Sequence, residues 1–540
     1  MKKHSPVVLS ADSTTSTASL KVVRCWLDRC LESHKSCNSA GAKQQWYPSR
    51  LLRLDRSSAG VTVRLQECDK EPPTGPYVSL SHRWGGAKPM MLRTDNLSSM
   101  TVGVQFEDLS KTFQDAVDVT LNLGYHYLWI DSLCIIQDSK EDWLREASLM
   151  KEVYQNALFT ISAANPRAPE EGLSSVRHSE VVGSLVHSVR WDTNSSEKRS
   201  VRITMEPADL WATLLSRAPI TKRAWILQER ILSHRILHFA SSQLAWECDE
   251  LEACELYPAG ILVGALENRV GMAPRSILKP IPDAPSSAHS DGALGSAWHR
   301  AWLAVVEQYT RCSLSEPSDK LIALSGVANY YQAQLVDDNR YLAGLWQKTF
   351  VEELAWMRWS GSYYMAGCRA KEYRAPSWSW AAIDYPVKFV WHRAYDRALA
   401  KLIDVQTNLI DPANKTGGVR AGTAILRGKL TEVYWERDAM HHLDIWLPDA
   451  DEPRELHRRI ASWPDDNDDT PGKAYCLMLL QSSKQLEKAD KIVGIVMAEV
   501  EQPDPSQSLR HFRRVGLFTA FADGVTKLLS RSQEATIAIV

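Results

Sequence analysis

Polar side chains fall at the ends of apolar runs in the first third of the chain. Ser81 is followed by His82-Arg83-Trp84-Gly85-Gly86, Asp131 follows Tyr127-Leu128-Trp129-Ile130, and Ser162 stands shortly before Asn165. Open parallel sheets bind ligands beyond the carboxyl ends of their strands, so this set marks a crevice. Asp131 fits equally well as a cap on a neighbouring loop or helix. Cys134 has the type of a nucleophile, but no histidine stands near it in sequence. A buried free thiol is the commoner role for such a cysteine.

A second grouping, Cys25, Cys30, His34 and Cys37, with Cys68 further on, has the ligand types that suit zinc. Its spacing matches no standard zinc knuckle, and Cys30, His34 and Cys37 at i, i+4 and i+7 also read as the buried stripe of a helix. The packed helix is the expected role, with no metal in the expected site and zinc left open.

The elements that must position these residues are legible from periodicity. Tyr77 to Ser81 reads as a short strand, and Phe113, Ala116, Val117 and Leu121 as a helix ended by Gly124. Tyr127 to Asp131 is apolar on both faces until Asp131, as a central parallel strand is. Ser139 and Asp142 form a capping box ahead of a stripe through Trp143, Ala147, Met150, Tyr154 and Ala157, and Leu158 to Ser162 is the next strand. Glu146, one turn after Trp143, reads as a solvated helix charge. The alternation makes an α/β unit with a parallel sheet, in which 77–81 and 127–131 lie adjacent.

Further along, Ala297 to Tyr331 is helical, and Tyr341 to Trp359 reads as a Trp-rich helix. Short strands follow at Ala424 to Gly428, Tyr475 to Leu480, Ile492 to Val496 and Val515 to Phe518, which gives a β-rich C-terminal domain. Residues 1–19 read as disordered, and Ser195 to Ser200, Pro274 to Ser296 and Asp449 to Gly472 as loops, the last with the acidic run Asp465, Asp466, Asp468 and Asp469. The expected domains are 1–70, an N-terminal tail and Cys/His helix; 71–255, the α/β domain; 256–385, helical and Trp-rich; and 386–540, β-rich.

Composition removes several classes. With 63 Lys+Arg against 65 Asp+Glu there is no electrostatic case for nucleic acid or an anionic membrane. No apolar run is long enough to span a bilayer, and no secretory signal is visible, so a soluble cytoplasmic chain is expected. Ten cysteines without a C-x-x-C pair do not make a disulfide scaffold. The 20 Trp are expected to fill seams more than to stack on ligands. G-x-S-x-G, Walker, H-E-x-x-H and G-x-G-x-x-G motifs are missing, which speaks against serine hydrolase, NTPase, zinc protease and ordinary dehydrogenase readings.

The chain resembles the fungal heterokaryon incompatibility (HET) domain family. The resemblance rests on Tyr77 to Gly85, on Leu128-Trp129-Ile130-Asp131-Ser132-Leu133-Cys134-Ile135-Ile136-Gln137, on Trp143 with Met150, Tyr154 and Ala157, and on Arg223-Ala224-Trp225-Ile226-Leu227-Gln228-Glu229-Arg230. It continues through Asp319 to Gly326, Arg374 to Trp380 and Arg514 to Phe518. The resemblance implies an effector of cell death triggered by non-self recognition. It further implies a TIR-like α/β fold, in some members of which one glutamate cleaves NAD at its nicotinamide bond.

Carried over on that basis, Glu229, four residues after Trp225, is the catalytic candidate, although the TIR pattern has a Cys after the Trp and this chain has Ile226. Ser81, Arg83, Trp84, Gly85, Asp131 and Trp225 are the implied ligand-binding residues. No cofactor is expected, and NAD enters as a substrate. A carboxylate beside the ribose would stabilise oxocarbenium character while an already cationic nicotinamide nitrogen departs, an aromatic ring would stack on the nicotinamide, and backbone N–H groups at Gly85-Gly86 would meet the diphosphate. Glu229 also fits a structural ion pair with Arg223 or Arg230. No sensor module is recognisable, so the trigger is expected from self-association or a protein partner. A non-catalytic interaction module and a biosynthetic enzyme using the same crevice for another small molecule remain the alternatives.

Overall fold

The computed structural model describes residues 12–38, 46–85, 90–176, 185–192, 198–205, 210–261, 275–280, 297–335, 338–359, 369–390, 395, 397–437, 443–447, 460–466, 469–482, 490–501 and 509–540. They fall in two compact units, Met1–Ala284 and Pro285–Val540. Gly86, residues 1–11 and most of the expected loops at 195–200, 274–296 and 449–472 lie outside the described residues. Within those expected loops, Lys198–Met205 and Ile460–Pro464 are strands and Arg275–Leu278 is a helical turn.

The first unit opens with α1 (Thr17–Ser33), capped by the Ser16 hydroxyl, and the short α2 (Lys35–Asn38). The helix therefore begins inside the stretch read as disordered. A hairpin, β1 (Arg50–Ser57) and β2 (Gly60–Glu67), precedes β3 (Val78–Ser81). The chain continues through α3 (Leu97–Val102) and α4 (Lys111–Asn122) to β4 (Tyr127–Ile130). Gly124, at φ +79, supplies the left-handed residue beyond α4.

β4 is buried throughout, and α5 (Asp131–Cys134) follows without a break. Asp131 is thus the first residue of a helical turn and not the last of the strand. α6 (Lys140–Ser148) and α7 (Met150–Asn156) meet at Leu149, so the expected single stripe is shared by two helices. Ser139 accepts from the Asp142 amide at 3.2 Å, as a cap does.

β5 (Thr160–Ser162), the β6–β7 hairpin (Leu185–Asp192 and Lys198–Met205), α8 (Ala224–Leu232), β8 (Arg235–Phe239), β9 (Leu244–Cys248) and β10 (Glu252–Cys254) complete this part. Among the described residues the main sheet has the order β10-β9-β8-β5-β3-β4-β1-β2. β8, β5, β3 and β4 run parallel, with Val78 opposite Leu128, Ser81 opposite Ser162, and Ser162 opposite His238. The expected neighbours 77–81 and 127–131 are adjacent and parallel. β1–β2 on one side and β9–β10 on the other are antiparallel additions, and β1 and β2 lie within the residues expected to form an N-terminal helical segment.

In chain order the parallel strands occupy places 2-1-3-4, a doubly wound order whose direction reverses between β3 and β5. Ligands in such sheets bind at that reversal. Its carboxyl ends are Ser81 and Ser162.

The second unit has helices Ala297–Tyr309 and Ile322–Gln334, then a nine-stranded sheet built on the long strand Val419–Arg437, the β-rich arrangement expected. The helix expected over Tyr341 to Trp359 is reduced to the short helical stretch Gln347–Glu353: before it Tyr341–Leu342 pairs with Leu345–Trp346, and after it Trp356–Arg358 is a strand. The turn needs Gly344, at φ +107, whose missing Cβ leaves room for the Trp380 indole that donates to its carbonyl at 3.0 Å. Many of the described tryptophans are buried in the core of their own unit, Trp302, Trp346, Trp356, Trp378, Trp380 and Trp435 fully so in this one, whereas Trp359 is exposed.

Of the acidic run read as loop, Asp465, Asp466 and Asp469 go inward. Asp465 is buried against Arg514 at 2.9 Å, and Arg514 lies 3.5 Å over the Trp356 ring. No described helix is long and apolar enough to cross a membrane.

Candidate functional site

The carboxyl ends of β3, β4 and β5 and the helix α8 converge on one group of side chains. β3 and β5 direct Ser79, Ser81, Thr160 and Ser162 to one face, where Ser79 Oγ lies 2.8 Å from Thr160 Oγ1 and Thr160 Oγ1 lies 2.6 Å from Ser233 Oγ. Ser233 Oγ donates to the Glu229 carbonyl at 2.7 Å, which ties the end of α8 to the sheet. A row of hydroxyls is an unusual strand core, and here it supplies the bonds that seat the helix.

Glu229 is 6% exposed and stands over Ser81. Burial pushes its carboxyl up to about 7 and Asp131 pushes the same way, while Arg223 and the Ser81 and Tyr154 hydroxyls hold it down. Its Oε2 has no hydrogen-bond partner among the described residues. A buried carboxylate oxygen left open costs free energy and is the kind of group that functional clefts retain. Arg223 does not pair with Glu229 in a salt bridge; its guanidinium donates to the His82 carbonyl. Arg230 turns away to Glu247, at 2.8 and 2.5 Å, so the structural ion pair expected for Glu229 with Arg230 is made by another acid.

Around this centre lie His82, Asp131 and Trp84. Asp131 Oδ1 accepts from the Ser132 amide at 2.7 Å and Oδ2 from the Trp84 indole at 3.0 Å. It therefore caps its own turn and also fixes Trp84, which remains half-buried. Burial lowers His82 to about 4, so the imidazole is neutral although its Nδ1 stands 3.6 Å from Asp131, and neither ring nitrogen has a hydrogen-bond partner among the described residues.

The cavity beside Glu229 is lined by Ser81, Thr160, Ser162, Ile220, Arg230 and His238, among others, and leaves about 10 Å³ of space. That is room for about one water and far less than a dinucleotide needs. Its cover comes from the segment before α8, a π-turn at Ala212–Ser216 and a 3₁₀ turn at Pro219–Lys222, through Leu215, Ile220 and Thr221.

Of the residues singled out by sequence, Ser81, Asp131 and Glu229 come together, with Trp84 held on Asp131. Trp225 is placed differently: its half-buried ring packs edge-on against Trp143 at 6.5 Å and does not line the cavity. Arg83 is half-buried without an ion pair among the described residues, and exposed Gly85, at φ +67, lies against Ala168 and Pro169. Cys134 is buried, with its thiol pushed up to about 12 by desolvation, a poor nucleophile. Glu146, read as a solvated charge, is buried: it accepts from Ser49 at 2.6 Å and lies 3.8 Å from Arg50.

Tyr154 and Arg223 are neighbours of Glu229, and His82 a neighbour of Arg223 and Asp131, that the sequence placed only within motifs. Their convergence follows from the packing of α7 on α8 and from the β3 loop. Cys30, His34 and Cys37 form more than a helix stripe, because Cys248 from β9 joins them. Cys25 is exposed, and Cys68 is buried elsewhere.

A doubly wound α/β domain with a buried acid at its strand reversal is the class that the fold and site define. Residues 77–229 match the family model Heterokaryon incompatibility protein (HET), and the chain carries a domain of that family. The match begins at the start of β3 and ends at Glu229. No curated protein and no solved structure matches the chain significantly.

Proposed function

We propose that this HET domain protein is an effector of non-self-triggered cell death that cleaves a nicotinamide nucleotide at its glycosidic bond, with Glu229 as the acting carboxylate. The observation that carries this reading is the open, buried Oε2 of Glu229 at the switch point of the parallel strands. In the reaction the ribose–nitrogen bond breaks, nicotinamide leaves as a neutral base, water adds to the ribose carbon and a proton is released. Ionised Glu229 stabilises the oxocarbenium-like ribose, the Ser81 hydroxyl orients it, and Arg83 is available to the diphosphate. The TIR likeness belongs to the same proposal, supported by the 2-1-3-4 order of the parallel strands.

Because the site leaves so little room, substrate entry requires the 212–222 cover to move. Clustering of several copies, or binding of a protein partner, is the event we assign to that movement. The same lack of room favours a second reading, an interaction module that recruits partners without catalysis.

The test is to hold concentrated, clustered protein with NAD and follow nicotinamide. Release is expected, and kcat/KM should rise with pH through about 7, because Glu229 acts only when ionised. Intact NAD under clustering supports the interaction reading. Turnover of a different small molecule in the same crevice would point to a biosynthetic enzyme.

A further inference from the structure

The end of α1, α2 and the end of β9 bring four ligands to one buried point. Cys30, His34, Cys37 and Cys248 are all buried, and one ligand atom from each lies within 4.8 Å of the others. His34 Nδ1 stands 3.3 Å from Cys248 Sγ. We infer that these four residues bind a structural zinc ion, Cys3His, that fastens the N-terminal helices to the sheet. The inference is independent of the function proposed for Glu229.

The chemistry of the donors points to this metal. Zn–S bonds of about 2.3 Å and Zn–N bonds of about 2.0 Å set tetrahedral edges of roughly 3.8 Å between sulfurs and roughly 3.5 Å between sulfur and nitrogen. The cluster needs only a small contraction to meet them. Three soft thiolates and one imidazole in a tetrahedron select zinc over hard cations. Four protein ligands in a buried place leave no open position, the mark of a structural and not a catalytic ion. Pairing the thiols as a disulfide would leave one cysteine and the histidine without a reason to converge.

The surroundings fit the resulting charge. Zinc with three thiolates carries net −1, and the Arg235 guanidinium donates to Cys30 Sγ at 3.1 Å. Arg235 lies directly opposite Cys248 across the β8–β9 pair and also donates to the Cys37 carbonyl at 3.1 Å. Asn38 bonds the carbonyls of Cys30 and His34 at 2.9 and 2.8 Å, which holds the turn that presents Cys37. Such outer bonds orient metal ligands and are what a site built for an ion requires. Binding displaces the thiol protons into solvent, so affinity falls as pH falls.

The spacing explains why the sequence left this open. Three ligands are close together, but the fourth is 214 residues beyond His34, so no knuckle pattern exists. An ion here closes a loop that contains the whole family-matched segment.

The experiment is metal analysis of the full chain purified without chelators, followed by exchange with cobalt. About one zinc per chain is expected, and the cobalt form should show the intense thiolate charge-transfer and tetrahedral ligand-field bands of a three-sulfur site. Cys248→Ser should lose the metal, whereas Cys25→Ser, on the exposed face of α1, should keep it. If Cys248→Ser does not fold, Cys248→His should retain zinc with a weaker charge-transfer band. Wild-type protein that takes up neither ion, an octahedral cobalt spectrum, or equal loss in Cys25→Ser would overturn the assignment.

Discussion

Glu229→Gln is expected to stabilise the protein at pH 8 by about 3 kcal/mol and to leave it unchanged at pH 4. Glu229 titrates near 7 in the fold, chiefly because burial disfavours its charge. In the unfolded chain it titrates near 4.3, as free glutamates do. Between those values the native state binds the extra proton, so its stability falls as pH rises and the full penalty is present above about 7. Glutamine keeps the shape and carries no charge, so it removes the penalty. Below about pH 4 both forms are neutral and the difference vanishes. Urea melts of the two proteins at both pH values measure this directly, and curves that coincide at pH 8 would show that Glu229 is not a strained carboxylate.

Glu247→Ala should act in the opposite sense, with a loss of about 3–5 kcal/mol at neutral pH. Glu247 is fully buried, accepts from Arg230 at 2.8 and 2.5 Å, and lies 3.0 Å from His238 Nε2. Its carboxyl is held well below the usual range: burial opposes the charge, but Arg230 and His238 outweigh it. Alanine would take from the Arg230 guanidinium, buried in the wall of the cavity, the carboxylate to which it donates. Thermal melts should show a large fall, and Glu247→Ala with Arg230→Met should recover part of it, because the buried charge is then gone. A single variant as stable as wild type would show that the pair contributes nothing.

Much of the site was legible where a physical pattern repeats over several residues. The unbroken apolar run at Tyr127 to Ile130 marked a central strand, and the ends of apolar runs marked Ser81, Asp131 and Ser162, although Asp131 begins a helical turn and does not end the strand. Glu229 was legible only through its family motif, since its neighbours come from α7 and β3 and no local spacing reveals them. Helical charge was read as solvated at Glu146, yet Arg50 from β1, 96 positions earlier in the chain, reaches it. The same failure explains Asp465, which Arg514 meets in the core of the second unit. Trp-rich helical spacing over Tyr341 to Trp359 gave way to a hairpin because Gly344 adopts a turn that a helix excludes. Pairings distant in sequence leave no local signal, and Cys248 with His34, 214 positions apart, is one of them.

The most direct measurement is nicotinamide release by clustered wild-type protein beside clustered Glu229→Gln, with Glu141→Gln on the exposed face of α6 as the control. The wild type and Glu141→Gln should release nicotinamide at equal rates. Glu229→Gln should release none above background while folding normally and melting higher at pH 8. Equal release by all three proteins would contradict the role of Glu229, and no release by any of them would leave the domain as an interaction module.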